Sequence, residues 1–209
     1  MVDVVRPYRG VSAAERRAER RSRIKSACLD LVGQHGVVAV TVDGVSARAG
    51  LTKRYFYEGF TDLDALFVEL IDEVFNGLLA QIRDALAHEG PDPARRGRVI
   101  ATCLIDYMRR DPRVARLYVE APGHPALRAR RERAYQSYTR LLLDEVPAGP
   151  TSGTDEAGAP ARRALAALIL VAGVTQAVVS WLQGEIELDR AEIIDELTRV
   201  MVAALNDTA

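Results

Sequence analysis

The residues best suited to chemistry lie between Thr41 and Phe60, in the run TVDGVSARAGLTKRYFYEGF. Lys53 and Arg54 are adjacent cations directly after Thr52, a residue type that starts helices. In the first turn of a short helix, such cations can donate to guanine O6 and N7, the commonest base-specific contact in a major groove. Thr41 and Thr52 add hydroxyls at two helix starts, where free backbone N–H groups already favour phosphate. Tyr55, Phe56, Tyr57 and Phe60 place four of the chain's twelve aromatic residues within six positions. Helical spacing turns Phe56 and Phe60 inward and leaves Tyr55 and Tyr57 for bases or phosphates. The plain alternatives are a solvated charge pair and packed tyrosines, and the elements around these residues bear on the choice.

Two short helices are predicted over this window. Thr41 caps the first, with Asp43 favourable to the helix dipole, and Gly50 ends it after Ala49. The second runs from Lys53 to about Gly59, capped by Thr52. Val42, Val45, Leu51 and Phe56 make a miniature core, and Ala47, Ala49 and Gly50 allow close crossing. This is a helix-turn-helix, whose second helix enters a major groove with its first residues at the base edges. Upstream, Ser12 and Glu15 form a capping-box pair ahead of a helix with an apolar stripe at Ile24, Ala27, Cys28, Leu31 and Val32. Gly33 and Gly36 are expected to end it. Up to Phe60 eleven basic side chains outnumber six acidic ones, although the whole chain carries a net charge of −1. A basic first third on an acidic body suits a polyanion-binding module.

The order of arginine-rich helix, TVDGVSARAGLTKRYFY, phenylalanine and acidic helix start resembles the TetR (tetracycline-repressor-like) family of regulators over about residues 20–70. The resemblance implies a nine-helix subunit of two domains, dimeric through its last two long helices, with a small-molecule pocket in the larger one. It puts Thr41, Thr52, Lys53, Arg54, Tyr55 and Tyr57 near DNA. Arg48 is a further candidate for phosphate. Two positions depart from the pattern: Gly59 stands where a larger residue is usual, and Leu63 replaces a lysine that commonly meets phosphate.

The rest of the chain reads as helix throughout, so the fold expected is all-α: an N-terminal three-helix domain with a helix-turn-helix, then a larger helical ligand-binding and dimerisation domain. The expected boundaries are 1–61 for the DNA-binding domain, with a basic arm at 1–11, and 62–209 for the remainder. Asp62 caps a long helix, and further helices are expected at 94–110, 112–120, 124–146, 161–184 and 189–206. The stretch 147–160, rich in Pro, Gly, Ser and Thr, is expected to be a mobile loop. The segment 161–182 is apolar nearly all round and must be covered on every side. Helices 161–184 and 189–206 are therefore the expected homodimer interface, as a four-helix bundle. Tyr107, Tyr118, Tyr138 and Trp181, with Tyr135, offer the polar-tipped aromatic surface that lines ligand pockets.

Catalysis finds little support. There is no glycine-rich phosphate loop, HExxH or GxSxG, and His35, His88 and His124 are scattered. No catalytic or metal-binding residues and no cofactor are expected. Cys28 and Cys103 lie far apart in apolar settings, which suits a reducing cytoplasm. No signal sequence or membrane span is expected; Ala164 to Leu182 is interrupted by Gly173, Thr175, Gln176 and Ser180. The expected partners are a double-stranded DNA operator and an unidentified small molecule, with repression as the outcome. The alternative is a ligand- or protein-binding module of the same fold that does not read DNA.

Overall fold

A capping box starts the first helix. In the computed structural model, which describes residues 12–145 and 158–206, Ser12 accepts from the Glu15 N–H and the Glu15 carboxylate accepts from the Ser12 N–H. The arm at 1–11 and most of the 147–160 loop lie outside the described residues. Nine α-helices and two short 3-10 turns make up the described chain, with no strand among those residues. They are α1 (Ala13–His35), α2 (Val42–Ala49), α3 (Lys53–Gly59), α4 (Leu63–Leu86), α5 (Pro93–Arg110), α6 (Pro112–Glu120), α7 (Pro125–Glu145), α8 (Ala159–Leu182) and α9 (Arg190–Asn206). Helix α8 therefore begins inside the stretch expected to be loop.

Starts and stops follow side-chain chemistry. Asp62, Asp92 and Asp111 cap α4, α5 and α6 by accepting backbone N–H bonds, with Pro93 and Pro112 in the first turns of α5 and α6. One expectation fails at the end of α1. Gly33 does not end that helix; it lies inside it, and α1 runs on to His35 and Gly36, which adopts φ 83°. Gly33 is small for a packing reason, since a Cβ there would come within 2.7 Å of Arg113 Cγ on α6.

Helices α1, α2 and α3 pack together as the N-terminal three-helix domain, and α4 leads into a larger body of α4–α9. Helix α9 lies along α5, and α7 lies between α4 and α8. Buried side chains from Ile24 to Met201 form one contiguous core, so the two parts share a joint rather than a linker. Helix α8 is long and apolar enough by composition to cross a membrane, with a mean hydropathy of 2.1 over its most apolar window. It packs instead against α6, α7 and α9, and only part of it is covered: Leu165, Leu168 and Ile169 are 57%, 47% and 62% exposed.

Candidate nucleic-acid interface and body cavity

The turn between α2 and α3 is built by Gly50, which takes the left-handed conformation at φ 63°. Its N–H donates to the Ala47 carbonyl at 3.0 Å and the Leu51 N–H to that of Ser46 at 2.9 Å, closing α2 as a left-handed cap does. Val45 and Phe56 are fully buried beneath this turn, with Val42 and Leu51 packed at the margin. Phe60 lies against Phe56 with ring centroids 5.9 Å apart, and the Arg21 guanidinium lies over its ring at 4.0 Å from the centroid. The inward assignment of Phe56 and Phe60 follows from that packing.

All seven residues singled out in this region are exposed. Thr41 caps α2 as expected, its hydroxyl accepting from the Gly44 N–H at 3.0 Å. Thr52 occupies the capping position of α3 but its side chain makes no cap bond, which leaves the hydroxyl open to solvent. Lys53 reaches back to Asp43 of α2 at 2.6 Å, and that carboxylate raises the lysine's pKa. Arg54, 85% exposed, pairs with Glu58 one turn on, and Arg20 of α1 approaches the same carboxylate at 3.9 Å. Arg20 also covers the Tyr55 ring at 4.7 Å, whereas Tyr57 stands 57% exposed with its ring edge-on to Phe56. Arg48 points elsewhere: its guanidinium donates to Asp30 of α1 at 2.8 and 3.0 Å.

Three cations of α1 have structural duties that the sequence conceals. Arg21 binds Glu69 and the Gly59 carbonyl, and Arg23 donates to the Ala49 and Gly50 carbonyls at the end of α2. Lys25 bridges to Glu73 and Glu69 of α4. Cations of the first helix thus clamp the helix-turn-helix and join it to the body. Gly59 supplies a carbonyl to that clamp and has ordinary room around a Cβ, so the departure noted there costs no packing.

A second clamp joins α1 to α6. Arg113 donates to Asp111 and to Asp30, the latter at 2.6 Å, and Asp30 in turn accepts from Arg48. Those guanidiniums hold the Asp30 and Asp111 carboxyls below the ordinary aspartate pKa of 3.8. Beside them Glu120 accepts from the Val37 N–H at 2.6 Å and from Arg116, which also donates to the Gly33 carbonyl.

The body holds an apolar cavity of about 60 Å³ lined from each of its helices α4 to α9. Leu78 and Ile82, Ile100 and Leu104, and Leu170 and Val174 line it in pairs, with Tyr118, Tyr138 and Thr175 as its polar-tipped residues. Burial raises the Tyr118 pKa to about 12, with the Thr175 hydroxyl beside it acting the other way. The Tyr138 hydroxyl donates to the Phe75 carbonyl of α4 at 3.1 Å, and burial raises its pKa too. Of the tyrosines expected at a pocket, Tyr118 and Tyr138 reach the cavity. Tyr107 lies against Gly77, where a Cβ would stand 2.5 Å from its hydroxyl, and Tyr135 lies under the Arg131 guanidinium. Trp181 donates to the Leu188 carbonyl at 2.8 Å and braces the α8–α9 connection. The aliphatic lining carried no distinguishing sequence signal, because it has the residue types and period of any core.

No group of three or more metal-ligating side chains occurs among the described residues. Cys28 and Cys103 are free and buried, and burial raises the Cys28 thiol to about 12, far from a reactive thiolate.

No protein-family model matches the sequence. Solved structures do resemble the fold. The fatty acid degradation regulator FadR of Bacillus halodurans superposes with a TM-score of 0.71 at 14% identity, over 89% of this chain and 96% of that one. A TetR-like transcriptional regulator from Rhodococcus sp. RHA1 gives 0.64 at 19% identity, over 90% and 96%. The multidrug binding protein EbrR, complexed with malachite green, gives 0.66 at 22% identity, over 90% and 98%. In fold, this chain is a TetR-like subunit: a helix-turn-helix domain on a larger all-helical body.

Proposed function

We propose that this protein is a cytoplasmic, homodimeric DNA-binding transcriptional regulator, a repressor whose hold on its operator is released by a small molecule bound in the helical body. The observation that carries the reading is the first turn of α3. Thr52, Lys53 and Arg54 stand exposed there on a helix locked at a glycine turn over a buried Phe56. A helix presented so delivers its first side chains to base edges. Lys53, Arg54 and Tyr55 are assigned to bases; Thr41, Thr52 and Tyr57 to phosphates. Arg48 is the weakest of the phosphate assignments, because DNA would have to take it from Asp30. The DNA-binding domain is assigned to 1–61 and the sensing and dimerising domain to 62–209.

The exposed apolar strip of α8, together with Val200 of α9, which is 38% exposed, is assigned to a second copy of the chain. Apolar contact of that kind is what obligate homodimers bury. Two heads then meet successive major grooves about 34–36 Å apart. EbrR has been captured with malachite green and with imidazole, and by analogy the cavity beside Tyr118 and Tyr138 is assigned to a ligand. At about 60 Å³ it is smaller than the roughly 300–1,000 Å³ of filled ligand sites, so binding has to push its helices apart. That displacement is what couples ligand to DNA, at about 1–3 kcal/mol.

The test is selection of the purified protein on random duplex DNA at two salt concentrations. Enrichment of a pseudo-palindrome, with affinity falling steeply in salt, is the expected result. Lys53→Ala with Arg54→Ala should lower operator affinity at least tenfold and leave the dimer intact, since one bidentate base contact is worth about 1–3 kcal/mol. A flat salt dependence and no enrichment would favour the alternative, a ligand- or protein-binding module. The ion pairs that occupy Lys53 and Arg54 are the feature that would explain it.

A further inference from the structure

The cavity has a polar neighbour whose charge defines what it can hold. Tyr138 borders both the apolar cavity and a crevice of about 220 Å³ between α4 and α7. The partition between them is a pair of aromatic residues: Phe75 and Tyr138 meet edge to face at 6.4 Å, latched by the hydroxyl bond to the Phe75 carbonyl. On the outer side stand Arg130, Arg133, Asn76 and Ser137, with Asp72. Arg130 is matched by Asp72 at 3.4 Å, whereas Arg133 is exposed and has no ion-pair partner among the described residues. No acidic side chain lines the inner cavity.

The geometry points to an apolar-tailed carboxylate as the ligand of this body, its tail in the cavity and its head in the α4–α7 crevice on Arg133. This rests on the ligand-binding body proposed above and names its ligand class. The uncompensated charge of the crevice is a single positive one, which matches one carboxylate rather than a doubly charged phosphate. A guanidinium takes a carboxylate in planar two-point fashion, and the Asn76 amide and Ser137 hydroxyl can donate to the remaining lone pairs. The tail enters the cavity only after the Tyr138 ring swings away from Phe75, so Tyr138 is the gate. A cation finds nothing to pair with in the cavity, and a neutral alcohol gains the tail contacts without the charge.

The experiment is calorimetric titration of the full-length protein with decanoate, decanol and decylammonium, which share one tail and differ in head. Decanoate is expected to bind at least tenfold more tightly than decanol, with decylammonium weaker still. Arg133→Glu should lower decanoate affinity at least tenfold, Arg133→Lys should retain most of it, and neither should change decanol binding. Leu141→Trp, which fills the cavity, should abolish binding of both by a protein whose helical content is unchanged. Equal affinity for the three heads, indifference to Arg133→Glu, or tighter binding of decyl phosphate overturns the assignment. Duplex selection on the same preparation separates the two readings. Decanoate binding by a protein that selects no DNA keeps the site and sinks the regulator. DNA selection by a protein that ignores decanoate does the reverse.

Discussion

Asp43 sits 72% exposed on the first turn of α2, within 2.6 Å of the Lys53 ammonium. It supports the α2 dipole, and at the same time it occupies a cation proposed above for base contact. Exposed pairs of this kind are worth at most about 1 kcal/mol, so DNA can displace the carboxylate, but the loss is subtracted from affinity. Asp43→Asn should therefore tighten operator binding a few-fold and steepen its salt dependence by about one unit, read from affinities across a salt series. Weaker binding by that variant would mean that Asp43 positions Lys53 rather than competing for it. Phe56 acts on the other side of the same helix. Its full burial makes Phe56→Ala a cavity substitution costing about 3–5 kcal/mol, visible as a lower unfolding midpoint with DNA binding lost in proportion.

Among elements, α6 is the joint. It meets α1 where Gly33 removes a side chain, and it carries Arg113, whose two aspartates come one from the body and one from α1. Arg48 of α2 shares Asp30, so one charge chain runs from the α5–α6 corner through α1 to the helix-turn-helix. Arg113→Ala should cost about 1–2 kcal/mol, a drop of roughly 2–8 °C in Tm for a chain of this size. Its more telling effect is on coupling: ligand should release DNA less completely. The pH dependence has a defined sign. Asp30 and Asp111 have folded pKa values below 3.8, so the stability they contribute is fully present above that value. It is lost only as pH falls further, through the folded values, and thermal melts between pH 5 and 8 should show no change from these groups.

For the whole molecule, the strip at Leu165, Leu168 and Ile169 is the surface proposed above to meet a second copy of the chain. A helix apolar on every side cannot be satisfied by one chain that covers it on one side only. Ile169→Glu should convert dimer to monomer in sedimentation and abolish operator binding while ligand affinity survives. A dimer that persists in Ile169→Glu would place the interface elsewhere. A glutamate at that exposed position disturbs no buried contact, so a folding defect should not confuse the outcome.

Periodicity, caps and breakers were enough to read the α-helical class, nearly all helix boundaries and the helix-turn-helix, because those depend on contacts within a few residues. Asp62, Asp92 and Asp111 announce their helices by the chemistry of one carboxylate and one free N–H. The inward pair Phe56 and Phe60 followed from spacing alone. What escaped were contacts between residues distant in sequence. Gly33 reads as a helix terminator and is a seat for Arg113, eighty positions away, and Arg21 and Arg23 of α1 read as polyanion surface and are structural clamps. Tyr107 and Trp181 are polar-tipped aromatics like Tyr118 and Tyr138, yet only the latter two face the cavity. A single helix writes its own period into the sequence, whereas which neighbour fills which face, and where a gap is left between them, is settled only when the helices pack.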